Sequence, residues 1–197
     1  GGLLEGRIPS LRKVLLGGEA IDQRMWSALA ASESTRFFNM YGPTECSVDA
    51  SCGLISGSAP HIGKVIPGAR IYILDPYREP VPVGIAGEIY IGGAGVARGY
   101  LHRAALTAER FVRDPYSSQP EARMYKTGDL GPWRADGTIE YLGRNDQQVK
   151  IRGYRIELDE IQSQLIRHAE IKEAVLSVRE EVAGEKRLVA YIVARDR

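Results

Sequence analysis

Leu11-Arg12-Lys13-Val14-Leu15-Leu16-Gly17-Gly18-Glu19-Ala20 carries the reading of the fold. Leu11 to Leu16 suits a short buried strand, and the Gly-Gly-Glu-Ala run that follows makes a tight turn. A helix comes next. Asp22 is its N-cap, Ile21 can staple onto Trp26, and Met25, Trp26, Leu29 and Ala30 recur at helical spacing. Arg36 to Asn39 then reads as a second strand. Strand, turn, helix, strand in that order implies an α/β fold with helices packed on a largely parallel sheet.

Past Tyr41 the pattern becomes β-rich. Short strands are expected at Ile71 to Leu74 and Glu88 to Ile91, a short helix at Leu106 to Val112, and a hairpin at Gly131 to Leu142 turning at Asp136-Gly137. Beyond Gly143 helix and strand mix again: a strand near Val149 to Ile151, a helix from about Leu158 to Arg167 with Leu158, Ile161 and Leu165 on one face, and strands at Ala174 to Val178 and Leu188 to Val193. Arg144 to Gln147, four polar residues between two β signals, marks the boundary between residues 1–145 and a smaller α+β segment, 146–197.

Composition narrows the function classes. With 26 Lys+Arg against 25 Asp+Glu, no summed field draws the chain to nucleic acid or to an anionic membrane. Partners must be recognised by local sites. Cys46 and Cys52 have no second Cys or His pair at zinc-ligand spacing and read as reduced thiols of a cytoplasmic protein. The opening Gly1-Gly2-Leu3-Leu4 shows no basic lead into an apolar stretch, and without an initiating Met the chain reads as an excised segment. His61, His102 and His168 lie far apart without a nucleophile motif, so surface or core roles are expected of them.

Five stretches concentrate Gly, Pro, Thr and charged residues just outside expected strand ends, where α/β sheets bind ligands. Asn39-Met40-Tyr41-Gly42-Pro43-Thr44-Glu45 joins a Gly-Pro bend to an amide, a phenol, a hydroxyl and a carboxylate. Such a group can hold a polyphosphate with its Mg2+, and the same residue types also make an ordinary turn with a solvated Glu. In Tyr125-Lys126-Thr127-Gly128-Asp129-Leu130, an Asp on a Gly turn can accept from both hydroxyls of a ribose. From Gly143 to Leu158, basic residues at 144, 150, 152 and 155 surround a Gly, which suits either phosphate binding or a charged edge strand. Glycines in Gly17-Gly18-Glu19-Ala20 and in Gly87 to Leu101 would let a flat or charged ligand approach the backbone.

Together, in this order and spacing, the five stretches resemble the adenylation domains of nonribosomal peptide synthetases, members of the adenylate-forming superfamily. The likeness runs from Leu11 to about Asp196, with NMYGPTE, YKTGDL and GRNDQQVKIRGYRIEL as the closest matches. The resemblance implies a section of the adenylate-forming fold followed by part of its small C-terminal subdomain. It implies that ATP and an amino acid give an aminoacyl adenylate and pyrophosphate, with transfer to the phosphopantetheine thiol of a peptidyl carrier protein domain among neighbouring synthetase domains. On the same basis Gly18, Glu19 and Ala20 flank the adenine, and Asn39, Tyr41 and Gly42 lie beside it. Thr44 contacts phosphate, Glu45 is the Mg2+ ligand, Asp129 binds the ribose, and Arg144 contacts ribose and phosphate. Leu15, Gly17, Met40, Val48 and Asp49 match pocket positions, Asp146 the hinge, and Gly153 a position near the pantetheine tunnel.

Three family features have no counterpart in this sequence: the Ser/Thr/Gly-rich phosphate loop, the Asp that holds the substrate amino group, and the catalytic Lys. The chain alone is therefore expected to be inactive. Competing readings are a fatty- or aryl-acid-activating relative of the acyl-CoA synthetase and luciferase kind, and a nucleotide-binding piece without chemistry.

Overall fold

The computed structural model describes residues 10–151, 153–180 and 186–195. The expectations for Gly1 to Leu4, for Arg152 and for Asp196 lie outside them. The chain divides into two compact units, Gly1–Asn145 and Asp146–Arg197.

In the first unit, β1 (Lys13–Gly17), α1 (Gln23–Ala30) and β2 (Arg36–Tyr41) follow in order. β1 and β2 are parallel, with Gly17 opposite Met40. The Asp22 carboxylate accepts from the Met25 N–H at 2.7 Å, which satisfies a backbone donor that the first helical turn leaves without a partner. Trp26 and Leu29 are buried with Phe37 and Ile55, and Ile21 packs against them as a staple. Met25 points the other way and is exposed.

A 3-10 turn at Thr44–Cys46 leads to β3 (Ser51–Leu54) and β4 (Lys64–Val65), giving a sheet ordered β1-β2-β3-β4. β3 and β4 pair antiparallel. This corrects the expected largely parallel sheet: the chain reverses after Gly42-Pro43 and returns beside β2, so β1–β2 is the single parallel pair among the described strands.

The β-rich section follows: β5 (Ala69–Leu74), β6 (Gly87–Gly93), α2 (Ala104–Arg110), β7 (Phe111–Arg113), β8 (Arg123–Gly131) and β9 (Gly143–Arg144). The order is β5-β6-β8-β7, with β9 on the far end of β8. The expected helix end, 111–112, is instead strand, because Phe111 pairs with Tyr125 and buries its ring against Tyr100 and Tyr125. Ile71, Ile73, Ile89, Ile91, Tyr125 and Ile139 fill the core beneath. Ile139 belongs to the expected hairpin, whose turn carries Gly137 at φ +78° and Asp136 accepting from the Thr138 N–H.

The second unit contains β10 (Gln148–Ile151), β11 (Tyr154–Glu157), α3 (Leu158–Ile166), β12 (Ile171–Glu180) and β13 (Lys186–Ala194). β10 and β11 form one hairpin, β12 and β13 another. Leu158, Ala174 and Leu176 are the buried hydrophobic residues among those described in it, and α3 packs on β12. No helix among the described residues is long and apolar enough to cross a membrane.

Candidate functional site

Asp129 lies inside β8, at a bulge rather than at the strand-end turn expected from Gly128. Opposite the two-residue step from Glu88 to Tyr90, β8 advances four residues, from Leu130 back to Lys126. Gly128 takes up the excess at φ +78°, a conformation that a side chain would strain. Thr127 holds the bulge, donating from Oγ1 to the Ile89 carbonyl at 2.6 Å and accepting from the Asp129 N–H at 2.9 Å. Gly128 N–H donates to Glu88 Oε1 at 3.1 Å. Bulges of this kind re-aim a side chain.

The re-aimed carboxylate is 7% exposed and meets donors from two other segments. Tyr41, the last residue of β2, donates from its hydroxyl to Oδ2 at 2.6 Å. Arg144, paired with Asp129 across β8 and β9, donates from Nη1 to Oδ1 at 2.7 Å and from Nη2 to the Thr127 carbonyl at 2.9 Å. Tyr141 lies at 3.5 Å from Oδ1. Burial, and then the charge of Asp129, raise the Tyr41 pKa well above its ordinary value, so the phenol stays a donor. An ionised carboxylate has roughly four acceptor directions.

Glu45 is also buried, unlike the solvated Glu of a plain turn. Its Oε1 accepts from the Tyr100 hydroxyl at 2.6 Å and from the Tyr125 hydroxyl at 3.0 Å. Thr44 beside it is exposed. Gly42 lets the turn close: a Cβ there would meet the Val48 carbonyl oxygen at 2.5 Å and the Ala50 nitrogen at 2.8 Å. Cys46, packed in the core, has its thiol pushed up to about 12 by burial and then by the charge of Glu45. Both cysteines are free thiols.

Leu15, Gly17 and Met40 share one face of the first sheet, set by the Gly17–Met40 register and by two-residue alternation. Leu15 is 66% exposed on that face. Val48, at φ +75°, is exposed, and Asp49 is half-buried. Cys52 faces Met40 across β2–β3, and burial, then the charge of Asp49, raise its thiol pKa. Gly18, Glu19 and Ala20 lie exposed beyond β1, with Gly18 at φ +96°. Asn39 gives its amide N–H to the His61 carbonyl at 2.8 Å, a tie inside the fold.

Tyr41, Asp129 and Arg144, remote in sequence, are thus joined by hydrogen bonds, and β8 carries both Asp129 and the Tyr125 that meets Glu45. The basic run between Gly143 and Leu158 is divided: Arg144 belongs to the first unit, Lys150 and Arg155 to the second. There Lys150 faces Arg155 across the hairpin, and Arg155 donates from Nε to Gln148 Oε1 at 2.8 Å. Asp146 opens that unit, accepting from the Gln148 N–H at 3.2 Å, and Gly153 forms the exposed hairpin turn at φ +80°. Gly95 and Gly99, expected to admit a ligand, instead let the chain approach itself: a Cβ on Gly95 would lie 2.9 Å from the Cys46 carbonyl oxygen, and one on Gly99 would strike Thr107. Thr127, Tyr100, Tyr125 and Tyr141 are functional candidates that sequence reasoning did not single out. The first three lie within the five motif stretches, and a hydroxyl close to Asp129 was an available signal for Thr127; nothing marked Tyr141.

Comparison with known proteins gives the class of enzyme to which the chain belongs. Residues 4–101 match the model of the family described as AMP-binding enzyme. The chain is 50% identical over 191 residues to tyrocidine synthase 3 of Brevibacillus parabrevis, covering 93% of this chain and 3% of that protein. It is 48% identical over 185 residues to a dimodular nonribosomal peptide synthase of Bacillus subtilis (strain 168), covering 92% of this chain and 8% of that protein. Among solved structures, PA1221, a nonribosomal peptide synthetase protein containing adenylation and PCP domains, superposes with a TM-score of 0.83 at 32% identity, covering 98% of this chain and 41% of that one. The chain belongs to the AMP-binding enzymes, as a piece of an adenylation domain of the nonribosomal peptide synthetase kind. It spans a small fraction of the length of these curated relatives.

Proposed function

We propose that this chain is part of a domain that activates an amino acid with ATP, giving an aminoacyl adenylate and pyrophosphate, and then passes the aminoacyl group to the phosphopantetheine thiol of a peptidyl carrier protein domain. The observation that carries the reading is Asp129, re-aimed by the bulge and held by Tyr41 and Arg144. A buried carboxylate ringed by donors at fixed positions is a preorganised acceptor for a diol.

The reaction asks for positioning and charge neutralisation, since the substrate's own carboxylate attacks the α-phosphate and no protein nucleophile is required. Asp129 anchors the ribose. Arg144 orients that carboxylate and adds positive charge near the phosphates. Thr44, exposed at the head of its turn, offers a hydroxyl to a phosphate oxygen. A single buried carboxylate such as that of Glu45 suits Mg2+, which takes one or two carboxylates and completes its shell with substrate phosphates and water. Glu45, whose Oε1 accepts from both phenols, would hold it through its carboxylate. When bound, Mg2+ offsets charge on the phosphates.

Residues 1–145 would then belong to the large subdomain and 146–197 to the small one, with a rotation about Asp146 between the two half-reactions and Gly153 near the path of the pantetheine. Leu15, Gly17, Met40, Val48 and Asp49 line the amino-acid pocket. Asp49 favours a polar or cationic amino acid such as Thr, Orn or Arg, because a pocket carboxylate without a partner is costly. The protein works in the cytoplasm beside neighbouring synthetase domains.

In the complete domain, Asp129→Ala should weaken AMP and ATP binding about ten-fold or more, the equivalent of ~1.4 kcal/mol, measured by calorimetry. Unchanged affinity would remove the ribose assignment. An Asp49→Ala change that leaves substrate preference as it was would remove the pocket assignment.

A further inference from the structure

We propose that Tyr100 and Tyr125 are positioning residues for Glu45: both phenols donate to one carboxylate oxygen, Oε1, and so hold the carboxylate in the orientation in which it meets the cation that accompanies ATP. The inference rests on the reading of Glu45 as the cation ligand. The two donors come from separate segments, Tyr100 from the loop after β6 and Tyr125 from β8, and approach at 2.6 and 3.0 Å with their hydroxyls 3.2 Å apart. Hydrogen bonds to an ionised acceptor are the short, strong ones. A carboxylate held by a single donor can swing about its side-chain torsions, whereas two donors from separate segments on one oxygen pin that oxygen and restrict the swing.

The scaffold behind the phenols is stiff. Both rings pack on Phe111, at centroid distances of 5.3 Å for Tyr100 and 5.0 Å for Tyr125. Tyr100 N–H donates to Thr107 Oγ1 at 2.9 Å. The loop that carries Tyr100 also grips the turn around Glu45 through its backbone: Ala97 N–H donates to the Glu45 carbonyl at 2.8 Å, and Ser47 Oγ donates to the Gly95 carbonyl at 2.9 Å. The same loop thus sets both the main chain and the side chain of Glu45. Groups that orient a metal ligand from behind typically change metal affinity about 10- to 100-fold when removed.

The test uses the complete adenylation domain with Tyr100→Phe, Tyr125→Phe and Glu45→Gln. Mn2+ binding in the presence of a non-reacting ATP analogue is read by loss of the free-ion electron paramagnetic resonance signal. Analogue binding is read separately in excess chelator, where it also reports that each variant has folded. Each Phe variant should weaken Mn2+ binding about ten-fold and leave metal-free nucleotide affinity within about two-fold of the parent. Glu45→Gln should weaken Mn2+ binding at least as much. Normal Mn2+ affinity in both Phe variants, with Glu45→Gln impaired, overturns the positioning role alone. An equal loss with and without cation overturns it too, since the phenols would then only support the fold. Normal Mn2+ affinity in Glu45→Gln removes the ligand assignment beneath it. Should Tyr125→Phe fail to fold, Tyr100→Phe on its loop decides.

Discussion

Gly128 and His61 show how single residues set the site and its tolerance. A side chain on Gly128 would have to occupy φ +78°, at a cost of about 1–2 kcal/mol, and would disturb the bulge that aims Asp129. Gly128→Ala should therefore lower stability by that amount in denaturant titration and weaken nucleotide binding in the complete domain; loss of stability without loss of binding would separate the bulge from the site. His61 accepts the Gly63 N–H on Nδ1 at 3.1 Å and sets its ring against Trp26 at 4.9 Å. Burial first, and the charge of Arg134 second, lower its pKa below 6.5, with Asp136 acting the other way. Between the lowered value and 6.5 the unfolded chain binds the proton more tightly than the folded one, so stability is full above pH 6.5 and falls as the pH drops through that window. Chemical denaturation from about pH 7.5 to about pH 5 should show a component that His61→Gln abolishes; a stability that rises on acidification would contradict the sign. That His61 is structural was legible from its isolation in sequence. The family resemblance assigned Tyr41, Asp129 and Arg144 to one nucleotide, but their direct hydrogen bonds to one another were not legible, because the partners lie 88 and 15 residues from Asp129.

At the scale of elements, α1 was readable because its signals are local. Asp22 caps it, Ile21 staples it, and Trp26 with Leu29 buries one face. Trp26 is fully buried, so Trp26→Ala should cost about 3–5 kcal/mol, whereas Asp22→Ala should cost only about 1 kcal/mol. Thermal melts of the two variants check the ranking, and equal losses would mean that the cap rather than the core holds the helix. β7 was not readable. Phe111 to Arg113 continues a helical pattern, and only the unpaired edge of β8 and the gap between Tyr100 and Tyr125 turn it into strand. The sheet direction after Tyr41 was lost for a similar reason, since a Gly-Pro bend marks a reversal without saying which strand the chain returns along.

For the whole molecule, the chain covers 41% of a solved relative that holds adenylation and PCP domains. Leu15 and Val48, both proposed for the amino-acid pocket, are 66% and 63% exposed in this chain. Amino-acid-dependent pyrophosphate exchange by the 197-residue chain should be negligible beside that of a complete adenylation domain, and comparable rates would contradict this. By itself the sequence determined the family, the α/β start and the capped helix, because periodicity, caps and motif order are properties of neighbouring residues. Only the tertiary structure decided that Asp129 sits in a bulge and not a turn, that Glu45 is buried under two phenols, and that the glycines of the loop after β6 serve the chain's own packing. Those outcomes depend on which strands pair and in what register, and register is set by long-range burial that no local pattern encodes.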